Sequence, residues 1–398
     1  MLGMETGVKR DSGRESGPNV SDLFLSFLRL GTTAFGGPAM IAYIGELSVK
    51  RKKWLDQESF KNGVALCQTI PGATAMQTAA YVGLRARGVV GALVSYIGFG
   101  LPAFVLMMIL SSLYAASRDL PWVISLFAGL QVIVVSLVAN AAYMFGKTSL
   151  NGFMEIFFAA AAAFAFFIGI SPFYVIAGTA LVGVLAFKTT VSEGGATARN
   201  TDRAHFTSVV ILVLLVLVGL VALSFLNARV LKLAILMLKV DIFAFGGGFA
   251  SVPLMLHQVV DVQGWLDSKA FMDGIALGQI TPGPIVITAT FVGYLTRGFF
   301  GALVATLAIF SPSFIVLVVV EPFFDRLRRS RVFSQAVKGI LCSFVGLLVF
   351  VTIKFASAVP WDLVRILFLA ASFVAIRKKI DILYIVPIGA VISLVLLR

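Results

Sequence analysis

Charge is what this sequence has least of. Only 13% of its 398 residues are Asp, Glu, Lys or Arg, while 59% are hydrophobic. A soluble domain carries about 25% charged residues, so a fold solvated on every side is excluded. Cys67 and Cys342 stand far apart in apolar surroundings, and neither a disulfide framework nor a thiolate metal site is expected. His205 and His257 are the only histidines, too few for a histidine metal centre, so no metal and no cofactor is expected. No G-x-x-x-x-G-K-[ST] loop occurs and no polar domain is long enough to house one, which removes ATP hydrolysis as an energy source. Nothing in the chain resembles an enzyme's catalytic constellation. Residues 1–20 are polar, lack the apolar core of a signal peptide and read as a disordered tail.

What is abundant is the vocabulary of membrane helices. The chain has 35 Phe, 37 Gly and 13 Pro, and bilayer-embedded helices tolerate Gly and Pro while presenting large apolar side chains to lipid. The net charge of +13 would suit nucleic acid in a soluble protein. Here it reads as the positive-inside bias of membrane loops, and no nucleic-acid partner is expected.

An internal repeat organises the chain. From Ala34 the sequence runs AFGG, WLD at Trp54–Asp56, GVALCQTIPG at Gly63–Gly72, YVGLRARG at Tyr81–Gly88, GALV at Gly91–Val94 and Pro102. From Ala244 it runs AFGG, WLD at Trp265–Asp267, GIALGQITPG at Gly274–Gly283, FVGYLTRG at Phe291–Gly298, GALV at Gly301–Val304 and Pro312. The expected organisation is a first repeat over 21–188, a polar linker with one extra helix over 189–228, and a second repeat over 229–398.

Apolar runs able to cross about 30 Å of hydrocarbon are Val89–Ala115, Pro121–Met144, Phe153–Ile170 and Phe173–Phe187 in the first copy. In the second they are Phe299–Val320, Val332–Ile353, Leu363–Ala375 and Ile380–Leu397. Phe206–Phe225 has no counterpart and would turn the second copy upside down. Loop charge agrees with that inversion. KRKK at Lys50–Lys53 faces a loop without Lys or Arg at His257–Gly264, whereas Arg326, Arg328, Arg329, Arg331 and Arg377–Lys379 have poor counterparts in the first copy. The pattern fits best if Asp22–Val49, Glu58–Ala86, Val230–Leu256 and Lys269–Thr296 are broken hairpins re-entering on one side. The fold class expected is therefore an all-α polytopic membrane protein of two inverted-topology repeats, with about nine full crossings plus hairpins. The N-terminus is inside and the C-terminus outside. Full crossing by the broken segments would instead put KRKK or the Arg326–Arg331 cluster outside.

The breaks are where chemistry is expected. Phe35, Gly36, Gly37 and Pro38, and Phe245, Gly246, Gly247 and Gly248, interrupt apolar stretches. Gly costs roughly 1 kcal/mol and Pro about 3 in a helix interior, and backbone freed in lipid must be buried in protein or line a wet site. A kink for close packing is the plainer explanation. The second breaks, Gln68-Thr69-Ile70-Pro71-Gly72 and Gln279-Ile280-Thr281-Pro282-Gly283-Pro284, place a Gln and a Thr before a Pro that suits the first turn of a new helix. Thr281 could cap a helix starting at Pro282; Thr69 fits less well. A helix starting in mid-membrane aims free N–H groups and about half a positive charge forward, a receptor for an anion. Secondary transporters of inverted repeats hold substrate at such half-helix ends. Gln68 and Gln279 add uncharged amide donors.

Arg29 and Lys239, each six residues before the Phe of FGG, could serve an anion, or could snorkel and, for Lys239, pair with Asp241. Arg87 and Arg297 read as interface anchors, as do Trp54 and Trp265. Glu46 and Asp241 are the candidates for coupling to an ion, although neither has an acidic counterpart in the other copy. Asp56 and Asp267 read as helix caps, and Cys67 as an inert apolar cysteine.

FGGP, WLD after a basic loop, Q-x-x-PG and YVG…RG, repeated in a second half, together resemble the chromate ion transporter (CHR) family in its long, two-domain form. The resemblance covers about Ser21–Leu397. It implies a cytoplasmic-membrane protein that expels chromate and confers resistance, with halves in opposite orientation. The residues it implicates are Phe35, Gly36, Gly37, Pro38, Gln68, Pro71 and Gly72, with Gln279, Pro282 and Gly283. Ala73 stands where the second half has Pro284, and Gly248 where the first has Pro38, so the halves are not equivalent. The function expected is chromate efflux coupled to an ion gradient. A carrier for sulfate or another tetrahedral oxyanion, and an anion channel, stay open, as does a homodimer.

Overall fold

A computed structural model describes residues 18–187 and 203–396. The expected tail up to residue 17 and the polar stretch 189–202 lie outside the described residues. Within them every element is helical. The first copy comprises α1 (Val20–Thr33), α2 (Gly37–Gly45), α3 (Gln57–Thr69), α4 (Thr74–Ser117), α5 (Pro121–Ser149), α6 (Phe153–Phe167) and α7 (Pro172–Ala186). The unmatched helix is α8 (Arg203–Leu226). The second copy comprises α9 (Ala228–Ile242), α10 (Gly248–Leu256), α11 (Ser268–Ile280), α12 (Thr288–Val320), the short α13 (Phe324–Arg328), α14 (Arg331–Ala358), α15 (Leu363–Arg377) and α16 (Ile382–Leu396). One turn of π-helix prolongs α2 over Glu46–Arg51 and α10 over His257–Val262. The chain is an all-α polytopic membrane protein built on a repeated domain.

Among the described residues five helices are long and apolar enough to cross a membrane: α4, α5, α8, α12 and α14. α6, α7, α15 and α16 have 15 residues each. At 1.5 Å per residue that is about 22 Å, short of the hydrocarbon thickness. The expected count of nine crossings includes all four.

α4 is two helices joined by a reversal. Gly88 has φ 66°, a conformation costly for any residue with a Cβ, and Arg87 before it is also non-helical. The arms, residues 74–86 and 89–117, then fold back so closely that a Cβ on Gly83 would lie 2.1 Å from the Gly91 carbonyl oxygen. Arg297-Gly298 and the pair Gly293 and Gly301 repeat this in α12. These glycines explain why YVG…RG and GALV recur together.

The broken segments re-enter, as the loop charges implied. Tyr81 on the short arm of α4 donates to the Ser59 carbonyl at the start of α3, and its ring fills the space beside Gly63. α3 and that arm are therefore antiparallel. Phe291 and Gly274 make the same contact between α12 and α11. Asp22 at the start of α1 meets Lys52, beyond the π turn, at 2.6 Å, so that segment also returns to its own side. Trp54 stacks on Phe27 with ring centroids 6.1 Å apart.

Contacts between α4 and α12 give the orientation of the copies. Arg85 pairs with Glu321, Tyr96 bonds the Phe310 carbonyl, and the Tyr114 ring meets Phe291. Arg85 sits beside the α4 reversal and Glu321 just past the end of α12, while Tyr114 sits near the end of α4 and Phe291 near the α12 reversal. Each long arm therefore begins where the other ends, and the equivalent crossings run antiparallel. The repeats also exchange their last helices: α14 packs on α6 and α7, and α5 on α15 and α16. At equivalent places, Gly339 abuts Gly183 while the Gly129 N–H bonds Ser393 Oγ at 2.9 Å. Asp56 and Asp267 cap α3 and α11 as expected, accepting from Ser59 N and Ala270 N at 2.8 and 2.7 Å.

Cys67 and Cys342 are buried, so cysteines introduced at Arg51 and Gly264 can be labelled selectively. The antiparallel arrangement predicts labelling from opposite faces of sealed vesicles. Labelling from a single face would refute it.

Candidate functional site

The two kinds of break meet at the centre of the molecule, each against the other repeat. Gly72 donates its N–H to the Ala244 carbonyl at 3.0 Å, and Gly283 donates to Ala34 at 3.1 Å. Ala34 and Ala244 are the fully buried residues where α1 and α9 end. Gly72 and Gly283 reach across with φ 116° and 118°, a region open to glycine. These reciprocal bonds satisfy carbonyls that lipid would leave costly and unpaired.

Helices start afresh around this centre. α2 follows Gly36, α10 follows Gly247, and the long arms' precursors begin after Ala73 and Pro284; none of the four starts has a side-chain cap. A Cβ on Gly247 would lie 3.0 Å from Thr74 Oγ1, and one on Gly248 3.2 Å from Ile285 and Val286. Three of the starts are thus in contact, with Gly36 beside open space. Uncapped N-termini held together offer N–H donors and partial positive charge to an anion.

At the second breaks the structure differs from what the sequence led one to expect. Pro71 and Pro282 do not open a helix; they lie in the connecting turn, and helical structure resumes at Thr74 and Ile285. The left-handed Gly after each Pro holds the backbone out of helix. Thr281 is no N-cap either. It is 2% exposed and donates to the Gly278 carbonyl of the helix it ends, as Thr69 does to Ala65. Gln68 is exposed on α3 and Gln279 half-buried on α11; neither amide has a hydrogen-bond partner among the described residues. Phe35 and Phe245 are half-buried, and Gly246 abuts the Phe145 ring. Gly37 and Pro38 form the first turn of α2.

The cations and acids separate. Arg29 and Lys239 are exposed, and Lys239 Nζ sits over the Phe173 ring, 3.9 Å from its centroid. The pair expected between Lys239 and Asp241 is not made, because residues two apart leave a helix on different faces. Glu46 lies on the exposed π turn, 2.9 Å from Lys50 and within reach of Arg51, and so away from the breaks. Asp241 points inward and is 0% exposed, accepting the Ser313 N–H at 2.7 Å.

Three residues of the cluster around that carboxylate, Ser313, Gln77 and Tyr96, carry no motif that signals this role in the sequence, and of them Ser313 donates to it directly. Gln77, 0% exposed, donates to the Pro71 and Ser313 carbonyls at 2.7 and 3.2 Å. Tyr96 shares a hydrogen bond with Ser313 Oγ. A second buried acid, Asp273, accepts from Tyr114 and Gln131, both at 2.8 Å. The signal available was a polar residue inside an apolar run, as in TAMQTAA and FMDGIALG.

Two stretches, 21–184 and 231–394, each match the family model described as chromate transporter. The chain belongs to the chromate transporter family. As in the family's two-domain form, both copies of the module lie in one chain, and the matched stretches contain every break described above. An uncharacterised transporter of Methanocaldococcus jannaschii is 44% identical over 98% of both chains. The chromate transport protein of Cupriavidus metallidurans is 31% identical over 81% of this chain and 79% of its own. That of Pseudomonas aeruginosa is 28% identical over 84% and 80%. No solved structure matches this chromate transporter family member.

An added Cβ at Gly72 would lie 2.1 Å from Ser313 Cβ, whereas Gly36 has nothing within 4 Å. Gly72→Ala should therefore destabilise the protein by about 1–3 kcal/mol or more, with a lower melting temperature in detergent. Gly36→Ala should do less. Equal melting of both variants would contradict the packing described.

Proposed function

We propose that this protein is a secondary transporter that carries chromate out of the cytoplasm across the cytoplasmic membrane, driven by an ion gradient, and so confers chromate resistance. The observation that carries the reading is the set of four uncapped helix starts, three of them in contact, where the two repeats meet. Chromate is a small tetrahedral dianion, and N–H groups with helix dipoles hold such an ion without a fixed countercharge that would retain it. The names of the relatives from C. metallidurans and P. aeruginosa support chromate as the cargo.

The path to the site differs between the repeats. On α3 the exposed residues Gln57, Glu58, Lys61, Asn62 and Gln68 form one polar stripe running from the KRKK side towards the break. On α11 the equivalent surface is closed, with Phe271–Gly278 buried. α11 packs on α5, α14 and α16. This favours a carrier resting open to the side of KRKK, the cytoplasmic side by charge bias. Substrate would enter along α3, bind between Gln68, Gln279 and the helix starts, and leave when α3 closes and α11 opens. Inverted repeats support this exchange because each can adopt the other's packing.

Proteoliposome counterflow tests the proposal. Unlabelled internal chromate should accelerate uptake of labelled chromate, and sulfate in excess should compete if the site reads only shape and charge. Current without such acceleration would identify a channel instead. Gln68→Ala and Gln279→Ala should each reduce flux by about tenfold, the cost of one lost hydrogen bond to a charged group. Unchanged flux in both variants would move the site elsewhere.

A further inference from the structure

The buried cluster around Ser313 contains two acceptor atoms that have no hydrogen-bond partner among the described residues. Asp241 Oδ1 and Gln77 Oε1 are both inaccessible to solvent and without a hydrogen-bond partner. Their side chains close on one residue from opposite repeats: the Ser313 N–H donates to Asp241 Oδ2, and the Ser313 carbonyl accepts from Gln77 Nε2. The amide cannot be turned round to relieve the shortage. Its nitrogen already faces two carbonyls, those of Pro71 and Ser313, and reversal would set its oxygen against both.

No Lys, Arg or His among the described residues lies within ion-pair distance of Asp241. On its own helix, Lys239 faces away onto Phe173. From α4 the facing titratable group is Tyr96, whose hydroxyl already serves the Phe310 carbonyl and Ser313 Oγ. Cys67, on α3, is buried in the same core. From α12, Ser313 meets the carboxylate with its backbone N–H and its side chain. An ionised carboxylate so placed would be an unpaired buried charge, the costliest arrangement a protein interior offers.

Asp273 provides the contrast within the same molecule. It too makes no ion pair among the described residues, but Tyr114 and Gln131 each donate to one of its oxygens. Both of its acceptors are met; at Asp241 one is not.

We infer that Asp241 binds the coupling ion of this carrier, that the ion is a proton, and that it resides on Oδ1 with Gln77 Oε1 as its acceptor. A proton on Oδ1 turns that orphan acceptor into a donor, and Gln77 Oε1, whose amide bonds the same Ser313, is the other acceptor in the cluster left without one. The inference rests on the ion-coupled reading above and adds the ion and its ligands. The site adjoins the breaks: Gln77 holds the Pro71 carbonyl, and the next N–H, Gly72, holds Ala244, three residues beyond Asp241.

Two measurements on the full-length protein test this. In infrared spectra, a protonated-carboxyl C=O band should shift on deuteration, vanish in Asp241→Asn and persist in Asp273→Asn. Gln77→Met should move that band to higher frequency by removing its acceptor. In proteoliposomes, Asp241→Asn should keep chromate counterflow but lose accumulation driven by a pH gradient. A band unaffected by Asp241→Asn, or pH-driven accumulation surviving it, overturns the inference. If Asp241→Asn does not fold, the Gln77→Met shift decides the same point in its place, and an unmoved band overturns the inference. If wild-type vesicles carry no oxyanion at all, the transport reading fails, while the infrared band still decides whether Asp241 holds a proton.

Discussion

The structure depends on one constraint: a helix broken inside a membrane must return its backbone polar groups to some partner, because lipid supplies none. Here the partner is the other repeat. The Gly72 N–H closes on Ala244 and the Gly283 N–H on Ala34, so each copy completes the break of its twin. This reciprocity explains why the breaks must occur twice and in the same order. It also makes the centre of the molecule the one place where irregular backbone, free helix N-termini and amide side chains can coexist at that depth.

On this symmetric frame the chain builds an asymmetric interior. Asp241 and Ser313 stand where the first repeat has Gly31 and Ala103. Gly31 is packed directly on the Phe99 backbone, a Cβ there meeting the Phe99 oxygen at 2.4 Å, so no carboxylate fits. Near-symmetry thus supplies two equivalent breaks, and a few substitutions reserve one of them for a buried acid. Asp273, with Asn62 as its exposed counterpart on α3, extends the same asymmetry towards the opposite face.

The repeat, the re-entrant hairpins and the inversion were legible because each leaves a periodic or compositional trace. Recurring motifs mark the repeat, paired Gly and Pro the breaks, and Lys and Arg the loops. The helix starts were misplaced by three residues or so, at Thr74 and Ile285 rather than Pro71 and Pro282. Proline's suitability for a first helical turn outweighed the glycine after it, whose left-handed backbone governs the turn instead. The cluster around Ser313 was illegible for another reason. Gln77, Tyr96, Asp241 and Ser313 come from both repeats, and which polar residues share a buried space is a property of the antiparallel packing. Asp241 was noticed through its charge; its expected partner, Lys239, is a neighbour in sequence but not in space.

The exchange of terminal helices between the repeats also has a consequence for how the protein comes into being. α6 and α7 find their packing surface on α14, and the Ala34 carbonyl finds its donor only at Gly283. When the first repeat emerges from the ribosome, none of those partners yet exists. Its α1 can already pack on α4, but α6 and α7 must wait in the bilayer with the side that meets α14 still open to lipid. Contacts so distant in sequence close slowly, and closure comes only after α14 arrives. The reciprocal bonds at the centre and the seating of α6 and α7 are therefore the last parts of this molecule to be completed.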